Sequence, residues 1–280
     1  MSRDRELVTG ADTALWVAWH RALETRRPDA IFRDPWAERL AGERGPAVAR
    51  RMNRGSATRG AWTTIVRTKL IDDLVLRSLA DGVDRVVDLA AGCDARPYRL
   101  ALPPALRWVE VDAPAVLERK ARLLEDVTPG CAVERVAADL ADGAARATVL
   151  ARALDGASRA LVLTEGLLVY LGEDRVRALA RELRADARVA FWITDLASPL
   201  VRRTMKSVAR LVAEDARWRF APLEGVDFFS PLGWWPADVG RVLHEAKRLG
   251  RLPWPLRAFV PFDRDRRRPW GAVVRLAPRR

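Results

Sequence analysis

The sequence is poor in the residues that bind metals and form disulfides. Its 280 residues include two cysteines, Cys93 and Cys131, and two histidines, His20 and His244. The cysteines form no CxxC or Cys/His ligand pattern, and the histidines lie far apart in the chain. We therefore expect two free thiols, no disulfide framework and no metal site.

Long hydrophobic runs are also missing. No apolar stretch approaches the roughly 20 residues that cross a bilayer. The first ten residues are charged and lack the apolar centre of a secretory signal. With 49% hydrophobic and 31% charged residues, the composition is ordinary for a globular chain with a sizeable core. The sequence predicts a cytoplasmic protein without a membrane segment, either a monomer or a homodimer.

Lysine is scarce although the formal net charge is +12. The chain has four lysines, so arginine supplies almost all of its 49 basic residues. These arginines are spread along an alanine-rich sequence, which favours a GC-rich coding bias over a phosphate-binding stripe. We therefore expect no nucleic-acid partner.

The first 80 residues are predicted to be mostly helical. An apolar segment at 12–19 is followed by the helix breakers Pro28 and Pro35. A second helix is predicted at 61–79, where apolar residues recur at helical spacing.

From residue 81 onward, strands alternate with helices. Short apolar runs predict strands at 85–89, 108–111, 132–136, 160–164 and 189–194. Helices are predicted between most of them, at 113–125, 141–154 and 173–185. This alternation indicates an α/β fold with a parallel sheet covered by helices on both faces. The tail differs, and we predict a helix at 237–249 and two further strands at 257–262 and 272–276, as an antiparallel pair.

Small and acidic residues follow four of the predicted strands, where α/β sheets bind ligands. The first strand runs into a small-residue turn containing Gly92. Its single glycine matches neither the dinucleotide fingerprint nor a phosphate loop. Asp112 stands 24 positions after Asp88, close to the spacing of about 20 for a carboxylate that binds ribose hydroxyls. Glu110 is the other candidate for binding the ribose, but Asp112 lies nearer the strand end. The alternative for Asp112 is that its side chain caps the next helix.

Two later strands end in the same way. Asp139 and Leu140 follow the third strand, where a carboxylate can accept a hydrogen bond from an adenine amino group or cap a helix. Glu165 precedes Gly166 after the fourth strand, where its charge would favour a cationic ligand group.

Taken together, these motifs resemble the leucine carboxyl methyltransferase family, whose bacterial members act in polyketide and other secondary metabolism. The matching segments cover most of the chain in order, at 13–18, 27–35, 67–73, 88–100, 110–114, 139–140, 165–170, 233–234 and 250–253. The resemblance implies a Rossmann-like, seven-stranded class I methyltransferase sheet with helices on both faces. It divides the chain into an N-terminal helical lid (1–80) and a methyltransferase core (81–280).

The resemblance also implies a cofactor and a set of binding residues. The cofactor would be S-adenosyl-L-methionine, with S-adenosyl-L-homocysteine as the product. Arg67 would bind the methionyl carboxylate and Glu165 would lie near the methionyl amine. The remaining contacts would be Ala90 and Gly92 with the methionyl group, Asp112 with the ribose, and Asp139 and Leu140 with the adenine. The family usually has glycine at the position of Ala90, whose methyl group would narrow the pocket or require another local φ.

The implied activity is O-methylation of a small molecule through a carboxylate or a phenolic or other hydroxyl. No histidine lies directly after the fourth or the fifth strand. This favours a carboxylate or an acidic phenol as the methyl acceptor, because neither needs a strong base. Tyr170 and His20 are candidates for orienting the substrate. The alternative for Tyr170 is core packing with a satisfied hydroxyl, and for His20 we favour a partly buried structural position in the lid. A nucleic-acid methyltransferase and a non-catalytic cofactor-binding module are the alternatives. The chain lacks the Asn/Asp-Pro-Pro-aromatic turn that is typical of the first alternative. The sequence after the fourth strand reads Thr164-Glu165-Gly166-Leu167, and Asn53 is the only asparagine of the chain.

Overall fold

A computed structural model describes residues 7–53, 61–205 and 210–279. Residues 1–6 and 54–60, which belong to the predicted lid, lie outside the described residues. The helices are α1 Gly10–Thr25, α2 Ala37–Ala41, α3 Arg44–Met52, α4 Ala61–Ala80, α5 Arg96–Arg99, α6 Pro114–Leu123, α7 Gly143–Ala153, α8 Glu173–Ala185, α9 Pro199–Met205 and α10 Val242–Arg248. The strands are β1 Arg85–Leu89, β2 Arg107–Asp112, β3 Ala132–Ala137, β4 Ala160–Thr164, β5 Val189–Ala197, β6 Trp234–Arg241 and β7 Gly271–Pro278.

The seven strands form one sheet in the order β3-β2-β1-β4-β5-β7-β6. Strands β1 to β5 are parallel, and β7 runs antiparallel to both β5 and β6. The chain moves outward from β1 to β3 and then returns to β4 on the other side of β1. This reversal creates a crevice at the carboxyl ends of β1 and β4, where open α/β sheets bind ligands.

Helices cover both faces of the sheet because its central strands are apolar on both sides. Every residue of β1 and of β4 is buried, as expected of parallel strands. Val87 and Val162 pack in a cluster with α7 and α8. Their neighbours Val86 and Leu161 point to the opposite face, in a cluster with α4. The alternation follows the two-residue period of a strand.

The N-terminal helices pack beside the ligand-binding edge of the sheet. Helix α1 begins with a capping box, in which Thr9 and Asp12 each accept a hydrogen bond from the other's backbone N–H. It packs against α2, α3 and α4. Arg21 on α1 forms a buried ion pair of 2.8 Å with Asp34, which in turn lies 3.6 Å from Arg99 on α5. The helices are thus joined to the turn region after β1 by charged groups.

The parallel part of the sheet confirms the sequence-based prediction, and the tail corrects it. Strand β1, strand β4 and helix α8 have the predicted bounds. The helix predicted at 237–249 begins too early, because residues 237–241 belong to β6 and the helix α10 spans Val242–Arg248. The strand predicted at 257–262 was wrong, since this stretch belongs to the 3-10 segment Trp254–Phe262. Only the strand predicted at 272–276 is present, and its antiparallel partners are β5 and β6.

Candidate functional site

A cavity of about 850 Å³ lies at the carboxyl ends of the strands. Its walls come from α1, α4, the turns after β1, β2 and β4, and the segment 212–218. The start of α1 is joined to that last segment, because Gly10 N–H donates to the Asp215 carboxylate at 2.9 Å and Val8 bridges Val212. We call α1 and residues 212–218 the cover of the cavity.

The turn after β1 brings backbone against the cavity. Ala90 has φ +61°, the one left-handed conformation at a non-glycine residue within the described ranges. The N–H groups of Ala90 and Ala91 both donate to the Val111 carbonyl, at 2.8 and 3.2 Å. Gly92 has φ +46°, and a Cβ there would meet the Ala14 methyl at 3.2 Å. The turn therefore needs glycine-like freedom at two positions, although glycine occupies only one.

Asp112 holds this turn in place and lines the cavity. Its Oδ2 accepts a hydrogen bond from Gly92 N–H, and its Oδ1 accepts one from Ala113 N–H, both at 2.7 Å. The side chain does not cap α6, whose N-cap is Ala113 without a side-chain bond. The other carboxylate considered, Glu110, is fully buried and is neutralised by Lys120 at 2.7 Å and Arg135 at 3.0 Å. Of the two carboxylates considered on β2, Asp112 is therefore the one that faces the cavity.

Arg67 on α4 lies across the strand ends from the glycine turn. Its Nε donates to Glu165 and its Nη1 donates to Asp195, both at 3.1 Å. Its Nη2 donates to no residue of the described chain, and Arg67 lines the cavity. Asp195 also accepts a hydrogen bond of 2.6 Å from Gly166 N–H. Asp195 therefore fixes both Arg67 and the turn that carries Glu165.

Glu165 is held as an anion in a partly buried position. Burial alone would raise its pKa, but Arg96 and Arg67 outweigh that effect and lower the pKa overall. Arg96 donates from Nη1 to Glu165 at 2.8 Å and to Asp94 at 2.7 Å. Glu165 thus keeps a negative charge beside the cavity at neutral pH.

Asp88 on β1 behaves in the opposite way. Burial raises its pKa well above the ordinary value, and the nearby Asp94 charge raises it further. One of its oxygens, Oδ2, is buried without a hydrogen-bond partner within the described ranges. Asp88 therefore lines the cavity as a carboxyl group whose protonated form is favoured by its burial and by the charge of Asp94.

Tyr170 lines the cavity and connects the core to the cover. Its hydroxyl lies 3.4 Å from the Thr13 Oγ1 on α1. Burial raises the pKa of the phenol, so the hydroxyl stays protonated at neutral pH and can donate a hydrogen bond. It cannot serve as a strong general base.

His20, the other residue predicted to orient a substrate, is placed differently. Its side chain is completely buried and does not line the cavity. Both ring nitrogens lack hydrogen-bond partners in the described chain, and burial lowers the pKa to about 4. The ring packs edge-on to Trp16 at 4.7 Å. This enclosed position favours the structural interpretation of His20 over a role in orienting a substrate.

Asp139 and Leu140 are also placed away from the cavity. Asp139 is exposed, and its Oδ1 accepts a hydrogen bond of 2.8 Å from Ala141 N–H. The Leu140 carbonyl accepts one from Arg146. The N-cap of α7 is Asp142, so Asp139 is not a helix cap either. On this side the cavity is lined instead by Asp112, Ala113, Ala115, Val116 and Arg119.

Sequence reasoning missed several residues of the site. Asp195 escaped because its strand was predicted to end at Thr194. Arg202, Arg217 and Trp218 line the cavity from the later part of the chain, where no motif marked them. Only tertiary packing brings these side chains to the strand ends.

Neither a metal-binding cluster nor a membrane-spanning helix occurs in the part of the chain that the structure describes. Within residues 7–53, 61–205 and 210–279, no group of three or more His, Cys, Asp or Glu side chains could hold a metal ion. No helix in that part of the chain combines the length and the apolar character needed to cross a membrane. Cys93 and Cys131 are both free and buried.

Solved structures share this fold. A methyltransferase-like protein from Thermobifida fusca superposes with a TM-score of 0.58 at 19% identity, covering 88% of this chain and 93% of that one. A duf574 family protein from Streptomyces avermitilis superposes with a TM-score of 0.56 at 13% identity, covering 94% and 97%. At these identities the likeness supports the fold alone.

Curated relatives are closer in sequence. A protein of Streptomyces coelicolor, named a putative S-adenosyl-L-methionine-dependent methyltransferase, is 41% identical over 174 residues, which are 60% of this chain and 62% of the relative. A Mycobacterium marinum protein of the same name is 32% identical over 228 residues, 74% of this chain and 70% of the relative. The matched region thus spans less than two thirds of the first relative's length. Residues 14–184 match the model of the leucine carboxyl methyltransferase family, and the chain belongs to this family.

Proposed function

We propose that this protein is an S-adenosyl-L-methionine-dependent O-methyltransferase that acts on a small carboxylate- or hydroxyl-bearing molecule, in secondary metabolism. One observation carries the proposal. One cavity at the strand ends is lined by Arg67, Gly92, Asp112 and Glu165, and the cover contributes no acidic or histidine side chain to that lining. The helices of residues 7–53 would act as the lid of the site.

The residues at the strand ends fit the cofactor. A carboxylate has about four acceptor positions, and Asp112 uses two of them for backbone N–H groups. The remaining positions can accept hydrogen bonds from ribose hydroxyls. The free Nη2 of Arg67 can bind the methionyl carboxylate, and the anionic Glu165 favours the methionyl amine. Gly92 leaves room for the methionyl chain because a side chain there would meet Ala14.

The bound cofactor would supply an electrophilic methyl group on a sulfonium centre. The protein's part is to align an acceptor oxygen with that methyl group and to exclude water. Apolar residues dominate the cover, among them Ala11, Ala14, Val17 and Trp218. They would remove water from the acceptor as it binds.

The side chains that the cover contributes to the cavity lining include no acid and no histidine, which favours an acceptor that is already ionised. His20 is enclosed elsewhere, and Tyr170 keeps its proton because burial raises its pKa. A carboxylate is ionised at neutral pH, and an acidic phenol nearly so. Tyr170 would therefore donate a hydrogen bond to the acceptor rather than remove its proton.

Calorimetric titration tests the cofactor assignment. S-adenosyl-L-methionine and S-adenosyl-L-homocysteine should both bind saturably, and NAD should not. Asp112→Ala should weaken binding by at least about tenfold, the loss of charge-assisted hydrogen bonds of roughly 1.5–3 kcal/mol. Asp139→Ala is the matched control, because the exposed Asp139 carboxylate lies outside the cavity lining. Equal losses in the two variants would contradict the site described above.

Turnover assays test the reaction. Candidate carboxylic acids and phenols would be supplied with methyl-labelled cofactor. A methyl ester releases labelled methanol in mild alkali, whereas a methyl ether does not, so product lability separates the two acceptor classes. Label that appears only on nitrogen or carbon would refute the O-methyltransferase assignment. Cofactor binding without turnover on any acceptor would favour a non-catalytic module.

A further inference from the structure

The most exposed aromatic side chains cluster in the 3-10 segment Trp254–Phe262. Trp254 is 79% exposed, Phe262 is 71% exposed and Phe259 is 46% exposed. Large apolar side chains of this kind cost free energy when they face water. Three in one short segment, away from the cavity, mark a surface with a role of its own.

Two exposed leucines extend this surface. The Phe259 ring lies 6.0 Å from the Trp270 ring, and Trp270 lines a shallow groove of about 210 Å³ together with Leu200 and Leu223. Leu200 is 48% exposed and Leu223 is 77% exposed. Five of the seven large apolar side chains that are exposed within the described ranges therefore lie around this one region.

Arginines surround the same apolar groups. Five exposed arginines lie in or directly after the 3-10 segment: Arg257, Arg264, Arg266, Arg267 and Arg268. Arg268 lines the groove itself. Asp265 is the single exposed acid between residues 254 and 270. We call the five apolar residues and these five arginines the aromatic–arginine face.

Most of this positive charge has no internal counterpart. Arg267 pairs with Asp227 at 3.2 Å, and Arg264 donates to the Pro261 carbonyl. The side chains of Arg257, Arg266 and Arg268 have no partner in the described part of the chain. A surface that combines bare guanidinium groups with protruding Trp, Phe and Leu complements an anionic layer with an apolar interior.

We propose that the aromatic–arginine face docks the protein peripherally on an anionic membrane surface. The arginines would contact lipid phosphates, and Trp254 and Phe262 would insert at the headgroup level, as interfacial aromatic residues do. A second copy of the chain fits poorly, because five arginines on each copy would repel one another. Duplex nucleic acid fits poorly as well, because its phosphate surface offers no apolar layer in which Trp254, Phe262 and the exposed leucines could be buried.

Vesicle sedimentation of the full chain tests this proposal. Vesicles of phosphatidylglycerol and phosphatidylcholine should bind the protein, and binding should weaken as salt is raised. Pure phosphatidylcholine vesicles should bind it far less. Each arginine near an anionic surface strengthens binding roughly fivefold. The triple variant Arg257→Gln, Arg266→Gln, Arg268→Gln should therefore bind roughly a hundredfold more weakly.

A second variant separates insertion from charge. Trp254→Ser with Phe262→Ser keeps every arginine and should weaken binding by at least about tenfold through lost apolar burial. Leu76→Ser is the matched control, because Leu76 is 39% exposed on α4, outside the face, and should bind like the wild type. Circular dichroism and thermal melting would verify that all variants are folded.

Several results would overturn the proposal. No sedimentation of the wild type with anionic vesicles, or equal binding to neutral vesicles, would do so. Concentration-dependent self-association that the aromatic variant abolishes would show that the face joins two copies. Tight binding to duplex DNA that the arginine variant loses and the aromatic variant retains would assign the face to nucleic acid.

Discussion

Ala90 adopts a left-handed backbone conformation that is unfavourable for alanine, and the substitution Ala90→Gly tests the size of this strain. The residue has φ +61°, where an L side chain costs about 1–2 kcal/mol. Glycine removes that strain but adds about 0.5–1 kcal/mol of unfolded-chain entropy. The net expectation is that the free energy of unfolding rises by roughly 0.5–1 kcal/mol. Most alanine-to-glycine changes do the opposite.

Ala91→Gly is the matched control for this change. Ala91 is 4% exposed and its φ is not in the left-handed region. Its replacement relieves no strain, so it should cost about 0.5–1 kcal/mol of entropy and roughly 0.8 kcal/mol for the buried methyl. Both alanines donate their N–H groups to the Val111 carbonyl, so the two variants disturb the same hydrogen bonding.

Urea denaturation monitored by tryptophan fluorescence would measure both variants. If the dependence of the unfolding free energy on urea concentration is unchanged, the urea midpoint should rise for Ala90→Gly and fall for Ala91→Gly. The melting temperature should rise by roughly 2 °C in the first. If Ala90→Gly were as destabilised as Ala91→Gly, the left-handed conformation at residue 90 would be refuted.

Three further changes probe other parts of the molecule. Burial lowers the pKa of His20 to about 4 from an unfolded value of 6.5, so the unfolded chain binds the proton more tightly than the folded one. The free energy of unfolding should therefore fall by roughly 3 kcal/mol as the pH drops from 6.5 to 4. Thermal melts across that pH range should show that His20→Leu removes this loss. Asp195→Asn keeps an acceptor for Gly166 but removes the charge beside Arg67, so calorimetry should show roughly tenfold weaker cofactor binding. Asp72→Asn leaves Arg96 and Arg99 with a neutral partner in a buried cluster and should cost about 3–5 kcal/mol in urea denaturation, whereas the exposed Asp73→Asn should cost less than about 1 kcal/mol.

The parallel strands were predictable because burial on both faces leaves a continuous apolar run. The run at β4 reads Ala-Leu-Val-Leu-Thr, and its one polar residue, threonine, itself favours a strand. Strand β6 gives no such signal. It lies at the sheet edge and contains Pro236, next to an irregularity in its pairing with β7. An edge strand tolerates proline and a half-exposed face, so its sequence looks like the start of a helix.

The candidate site was predictable where the backbone alone sets the position. Gly92, Asp112 and Glu165 follow directly from strand ends, and all three line the cavity. Residues whose placement depends on side-chain packing were harder. His20 shares α1 with cavity-lining residues yet faces the interior, because a one-residue rotation on a helix turns a side chain by about 100°. Asp195 lay beyond the apolar part of β5, so no pattern marked it.

The arginine content has a structural meaning that composition alone conceals. Arg96 joins Asp72, Asp94 and Glu165, an arrangement that the rigid guanidinium fork permits and a lysine ammonium does not. Inside the fold, arginine therefore organises the carboxylates of the candidate site and carries no excess charge. In the aromatic–arginine face, by contrast, the exposed side chains of Arg257, Arg266 and Arg268 have no partner in the described part of the chain. A net charge of +12 thus says little about partners, because a partner interacts only with exposed charges that no internal ion pair compensates.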